Sequence, residues 1–259
     1  MARVQVGAVD VAYDTHGVGD PFVLVHGSTG GGRHWAQVAP ALAERHLVVL
    51  PDYAGGSDTI DPGGPLEVDD LVAQVLGAAD AAGADRFHLA GWSLGSVVAA
   101  SVAAAAPGRV RSLALVCGWA RTDARMRFTM DLWQRLLAAD PELFARYTFA
   151  DGMTAGTFEL LGASVEDLVP VTATMFSPGA RRHAELNTRI DIEGRLAAIT
   201  APTLVVGGIE DRWVPIEHSR ALAAGIADAR LVELACGHLV PTEQAVALTD
   251  LLLAHAATA

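Results

Sequence analysis

Lysine is absent from this 259-residue chain: all eighteen basic residues are arginine, against thirty acidic ones. The formal charge of −12 argues against nucleic acid or an anionic membrane as a partner, since both would repel it. The arginine bias, with abundant alanine, resembles the codon usage of a GC-rich genome and carries no functional meaning. Cysteine is scarce as well. Cys117 and Cys236 are too few for a disulfide framework and too scattered for a structural metal site. Long apolar runs are missing, because the most apolar stretch, 97–106, is too short and too rich in alanine to span a bilayer. The first ten residues lack the apolar segment of a secretion signal. These absences point to a reduced, soluble, cytoplasmic protein with no metal or cofactor.

What is present is material for a core. Hydrophobic residues make up 51 % of the chain, which makes it a well-packed globule, and its length suits one domain carrying an insertion. Residues 4–6 and 9–14 alternate around Gly7 and predict an opening hairpin. The continuous apolar run 22–25 predicts a strand buried on both faces, 47–50, 87–90 and 113–116 predict further buried or apolar strands, and 203–206 and 230–234 predict the last two strands of the sheet. Helical patterns cover 35–44, 66–82, the run from 97, 218–227 and 244–255. Strand and helix alternate, which predicts an α/β protein with a mostly parallel, eight-stranded sheet and helices on both faces. Ligands of such sheets sit beyond the carboxyl ends of the strands.

One of those ends carries a motif. Gly91-Trp92-Ser93-Leu94-Gly95 stands between the strand 87–90 and the helix that follows, a G-x-S-x-G pattern in a strand–turn–helix setting. A turn this tight holds the serine in strained backbone and leaves no room for a Cβ at Gly91 or Gly95. It pushes the Ser93 hydroxyl clear of the sheet and leaves the N–H of Leu94 free at a helix N-terminus, where it can stabilise an oxyanion.

A serine needs a base to take its proton and a third group to orient that base. Of nine histidines, only His238 follows the final strand after a small turn residue, where a loop can carry it over Ser93. His26 sits in a glycine-rich loop and reads as structural, His88 lies inside a strand, and His183 belongs to the insertion. For the acid, Asp211 follows the strand 203–206, with Glu210 beside it and Asp123 after the preceding strand as rivals. The chain order Ser…Asp…His favours Ser93, Asp211 and His238.

With these residues in place the chain resembles the α/β-hydrolase superfamily along its whole length. The resemblance rests on His26-Gly27, Gly91-Trp92-Ser93-Leu94-Gly95, Asp211-Arg212-Trp213-Val214-Pro215 and Gly237-His238. It implies Ser93 as nucleophile, His238 as base, Asp211 as its acid, and an oxyanion hole made by the N–H groups of Leu94 and Ser28. It also implies a core of residues 1–118 and 196–259, with a helical cap, 119–195, inserted after the sixth strand. One loop departs from the family pattern Asp-x-Arg-Gly-x-Gly-x-Ser and reads Asp52-Tyr53-Ala54-Gly55-Gly56-Ser57, without the arginine.

Five of seven phenylalanines and four of five methionines fall in the insertion. Such residues dock a cap, and they also form adaptable apolar pockets. The expected pocket residues are Trp92, Phe128, Met130, Trp133, Phe144, Phe158, Met175 and Phe176. The expected activity is hydrolysis of a carboxylic ester, thioester or lactone of a fairly hydrophobic small molecule through an acyl-enzyme. The alternatives are a non-hydrolytic catalyst of the same fold (perhydrolase, lyase or cyclisation catalyst) and a hydrolase of carbon–carbon bonds.

Overall fold

The computed structural model describes residues 1–258. Eight strands form one sheet: β1 (Ala2–Val6), β2 (Val9–His16), β3 (Asp20–Val25), β4 (His46–Asp52), β5 (Phe87–Trp92), β6 (Val110–Val116), β7 (Thr203–Gly208) and β8 (Ala229–Leu234), in spatial order β1-β2-β4-β3-β5-β6-β7-β8. The hairpin β1–β2 and the β2–β4 pair are antiparallel, and every pairing from β4 across to β8 is parallel. The β-branched and leucine runs of the central strands β3 to β7 are buried on both sides of the sheet, whereas the edge strands β1 and β8 stay partly exposed. One apolar cluster gathers Val23, Val25, Leu89, Leu113 and Val205 with the helices on one face, and a second gathers Phe22, Leu24, Ala90, Ala114 and Leu204 on the other. Adjacent residues of a strand go to opposite clusters, as the period of two requires.

The core helices are α1 (Ala39–Ala43), α2 (Val68–Ala81) and α3 (Leu94–Ala105), then α9 (Ile216–Gly225), α10 (Val240–Glu243) and α11 (Ala245–Ala256). The segment expected as one helix over 35–44 is broken. A 3₁₀ turn at Gly32–Trp35 precedes α1, whose first turn holds Pro40, a residue that starts helices well and cannot continue one. Between β6 and β7 lie α4 (Ala124–Ala139), α5 (Pro141–Gly152), α6 (Ala155–Leu161), α7 (Ser164–Met175) and α8 (Ala180–Asn187). The two ends of this insertion meet at its neck, where Thr122 N donates to Ile190 O (2.9 Å) and Ile192 N to Ala120 O (2.7 Å). Among the described residues no helix is long and apolar enough to cross a membrane.

The chain leaves β3 toward β4 on one side and returns to β5 on the other, so strand order reverses between the neighbours β3 and β5. Loops diverge above such a point and leave a crevice. The loop after β3, with Ser28, and the turn after β5, with Ser93, therefore face one another across it.

Candidate active site

Ser93 joins β5 to α3 with φ 57° and ψ −123°, a conformation that costs a residue with a side chain about 1–3 kcal/mol. The surroundings hold it there. Ser93 N donates to Val116 O (2.8 Å), and Ser96 N donates to Ser93 O (2.9 Å). A Cβ on Gly91 would overlap the Gly95 carbonyl, and one on Gly95 would overlap the carbonyls of Val25 and His26. Both glycines are thus demanded by close backbone approach. Among the described residues only Thr29 (φ 72°), Ser93 (φ 57°) and Cys117 (φ 47°) have positive φ without being glycine. They follow β3, β5 and β6, three neighbouring strands, so the backbone strain of this protein is gathered at one end of the sheet.

His238 and Asp211 come from the loops after β8 and β7. His238 Nε2 lies 2.9 Å from Ser93 Oγ, and His238 Nδ1 lies 2.7 Å from Asp211 Oδ2. The other carboxylate oxygen, Oδ1, accepts from the backbone N–H of Trp213 (2.9 Å) and of Val214 (2.9 Å). The acid is therefore held at both oxygens, and the imidazole has one nitrogen for the acid and one for the serine. All three side chains are buried. The imidazole adjoins the rings of Trp92 (centroids 5.5 Å) and Trp213 (5.0 Å), and Trp92 Nε1 donates to His238 O (2.9 Å). The rival acids are elsewhere. Glu210 is exposed, while Asp123 caps α4 through Met126 N (2.7 Å) and faces His218 (3.1 Å).

Cys117, read in the sequence only as a free cysteine, stands beside the acid. Its Sγ lies in one group with Asp211 and His238, their polar atoms within 4.8 Å of one another. Burial, then the negative charge of Asp211, pushes the Cys117 thiol well above its ordinary value, so it stays protonated beside the acid.

The loop after β3 is braced from below and above. From below, Tyr53 stacks on His26 (centroids 3.8 Å) and donates to His26 O (2.8 Å), while Asp52 Oδ1 lies 3.2 Å from His26 Nε2. Burial alone would push the Asp52 carboxyl up. His26 and the N–H groups of Asp58 and Thr59 outweigh it and hold the carboxyl below the usual range. From above, the insertion reaches down. Ser177 N donates to Thr29 O (2.7 Å), His183 Nδ1 accepts from Thr29 N (3.2 Å), and Asn187 Nδ2 donates to Ser28 Oγ (2.9 Å). His183 Nε2 in turn meets Ala54 O (3.0 Å), and burial pushes this imidazole down to about 3. Where the β4 loop departs from the family pattern, Gly179 of the insertion packs onto Gly55, and Arg182 pairs with Asp61 (2.7 Å).

The expected pocket residues divide. Met130, Trp133, Phe144 and Phe176 cluster with Trp213, with ring centroids 4.6 Å apart for Trp133–Trp213 and 5.1 Å for Trp133–Phe144. Trp213 joins this cluster to the imidazole, which Trp92 also adjoins. Phe128 has to be corrected: it is 76 % exposed, because Met126, Met130 and Trp133 share one face of α4 at i, i+4 and i+7, and position 128 points the opposite way. Met175 is 41 % exposed at the end of α7, and Phe158 lines an outer groove of about 300 Å³ with Met153, Thr154 and Arg212. A groove of about 550 Å³ near Trp35 and Pro40 does not reach Ser93 either. Glu243 was also missed. Its Oε1 accepts from Gly237 N (3.0 Å) and its Oε2 from Thr154 N (3.0 Å), and His238 N donates to Gly152 O (2.9 Å), which ties the base loop to the α5–α6 junction.

Comparison with known proteins agrees with this architecture. A family model described as alpha/beta hydrolase fold matches residues 20–245. The chain is 34 % identical over 250 residues to pyrrolizixenacetamide deacetylase of Xenorhabdus hominickii, covering 94 % of this chain and 93 % of that one. It is 35 % identical over 245 residues to a protein of Azorhizobium caulinodans provisionally named carbamate hydrolase RutD, covering 92 % and 91 %. Among solved structures, an alpha/beta hydrolase enzyme from a Medee basin deep-sea metagenome library superposes with a TM-score of 0.91 at 20 % identity, over 98 % of this chain and 96 % of that one.

Proposed function

This chain belongs to the α/β-hydrolase family and is a hydrolase, and from that premise we propose that it cleaves a carboxylic acid derivative of a small molecule through an acyl-enzyme on Ser93. The observation that carries this reading is the unbroken relay from Asp211 Oδ2 through His238 to Ser93 Oγ, at 2.7 and 2.9 Å. His238 Nε2 takes the hydroxyl proton as Ser93 Oγ attacks the carbonyl carbon, and Asp211 holds the ring in the tautomer that can do so. The carbonyl oxygen, becoming anionic, lies against the N–H groups of Leu94 and Ser28. His238 then gives its proton to the leaving group. Water, deprotonated by the same nitrogen, attacks the acyl carbon and frees the acid and Ser93.

The apolar cluster of Met130, Trp133, Phe144 and Trp213, which adjoins His238 through Trp213, supports an ester of a fairly hydrophobic acid. The names of the two relatives, a deacetylase and a carbamate hydrolase, bring amide and carbamate bonds into the same class. The test is covalent labelling with a fluorophosphonate, which requires an activated serine. Labelling in the wild type and none in Ser93→Ala supports the reading, and equal labelling of both removes it.

A further inference from the structure

Asn187 ends α8 and is only 1 % exposed. Its Nδ2 donates to Ser28 Oγ (2.9 Å) and to Met130 Sδ (3.5 Å). The sulfur settles which end of the carboxamide lies there, because a carbonyl oxygen would face the sulfur lone pairs while an N–H donates to them. The remaining atom, Oδ1, is buried and accepts from nothing among the described residues. A buried carbonyl oxygen left unpaired costs free energy, so native structures rarely keep one without a use.

Its place suggests the use. Once a substrate oxygen lies against the Ser28 and Leu94 N–H groups, two substituents of the carbonyl carbon remain. The leaving group has to face His238 Nε2, which adjoins Trp92 and Trp213. If the acyl substituent then lies on the side of Ser28, Asn187 is the polar side chain bonded there. We propose that Asn187 is a specificity residue whose Oδ1 accepts an N–H carried by the acyl side of the substrate, so that the site selects carbamoyl-type groups, R–NH–C(=O)–X, over hydrocarbon acyl groups of the same shape. This rests on the acyl-enzyme reading above. The chemistry balances in the same way: Ser93 Oγ bonds to the carbonyl carbon, the C–X bond breaks, and X departs with the proton held by His238.

Two substrates isolate the N–H. p-Nitrophenyl N-methylcarbamate and p-nitrophenyl propionate share a leaving group and differ by NH against CH₂, and the early release of nitrophenolate gives kcat/KM for acylation with each. Asn187→Leu, close in shape and without the acceptor, should lower the carbamate-to-propionate ratio about ten-fold relative to wild type, the worth of one buried hydrogen bond. Asn187→Asp keeps the acceptor. Its charge beside the oxyanion should slow both substrates while the ratio holds, and this variant decides the matter if Asn187→Leu fails to fold. A ratio unchanged in Asn187→Leu, or lost in Asn187→Asp, overturns the proposal. Fluorophosphonate labelling of the same samples separates the two readings. Labelled enzyme with an unmoved ratio removes only the role of Asn187, whereas an unlabelled wild type removes the acyl-enzyme itself.

Discussion

His183 should make the protein acid-labile by a calculable amount. Both of its ring nitrogens are engaged, Nδ1 accepting from Thr29 N (3.2 Å) and Nε2 facing Ala54 O (3.0 Å), and the residue is fully buried. Burial, with His26 nearby, lowers it from 6.5 to about 3. Below pH 6.5 the unfolded chain binds a proton here that the folded chain refuses, so stability falls with pH, and continues to fall until about pH 3. At roughly 1.4 kcal/mol per pH unit, the loss between pH 7.5 and 5 is about 2 kcal/mol from this residue alone. That is a large part of the 5–15 kcal/mol typical of a domain. Other groups titrate in the same range, so the measurement is a difference of differences. Urea unfolding of wild type and His183→Gln at pH 7.5 and pH 5 should show the wild type losing about 2 kcal/mol more than the variant. Glutamine can still donate to Ala54 O but does not titrate. Parallel pH dependences would refute the argument, and would mean that the Thr29 contact tolerates a protonated ring.

Ser93→Ala should lower kcat on p-nitrophenyl esters by ~10⁴–10⁶ with the far-UV spectrum unchanged, and His238→Ala by nearly as much, because such residues act as a unit. Asp211→Asn should lose roughly 10⁴-fold, since an amide cannot hold the imidazole in the required tautomer, while Asp123→Asn and Glu210→Gln should stay near wild type. A larger loss at Asp123 would move the acid to the end of β6. Phe144→Ala should destabilise by about 3–5 kcal/mol in thermal or urea unfolding, whereas Phe128→Ala, on the outer face of α4, should stay within ~0.5 kcal/mol. Equal effects would mean that α4 is rotated from the orientation described.

The sheet was legible because strands buried on both faces must read as unbroken apolar runs, such as Phe22-Val-Leu-Val and Leu113-Ala-Leu-Val. Ser93, Asp211 and His238 were legible as candidates because each follows an expected strand in the right chain order. The insertion was harder. Its helices bury one face onto other parts of the insertion, so Phe128 and Met130, two residues apart, could not be assigned to outside and inside without the phase of α4. Asn187, Cys117 and Glu243 left no local signal at all. Each matters through a partner far away in the chain: Ser28, Asp211, and the pair Thr154 and Gly237.

The tie between the base loop and the α5–α6 junction bears on how the enzyme can open. His238 hangs by its backbone from Gly152 O, and Glu243 clamps Gly237 to Thr154. An outward displacement of α5 and α6 would therefore pull on the loop that aims the imidazole at Ser93. Cutting the clamp with Glu243→Ala should show in kcat more than in KM, because what it loosens is the aim of the base and not the room for the guest.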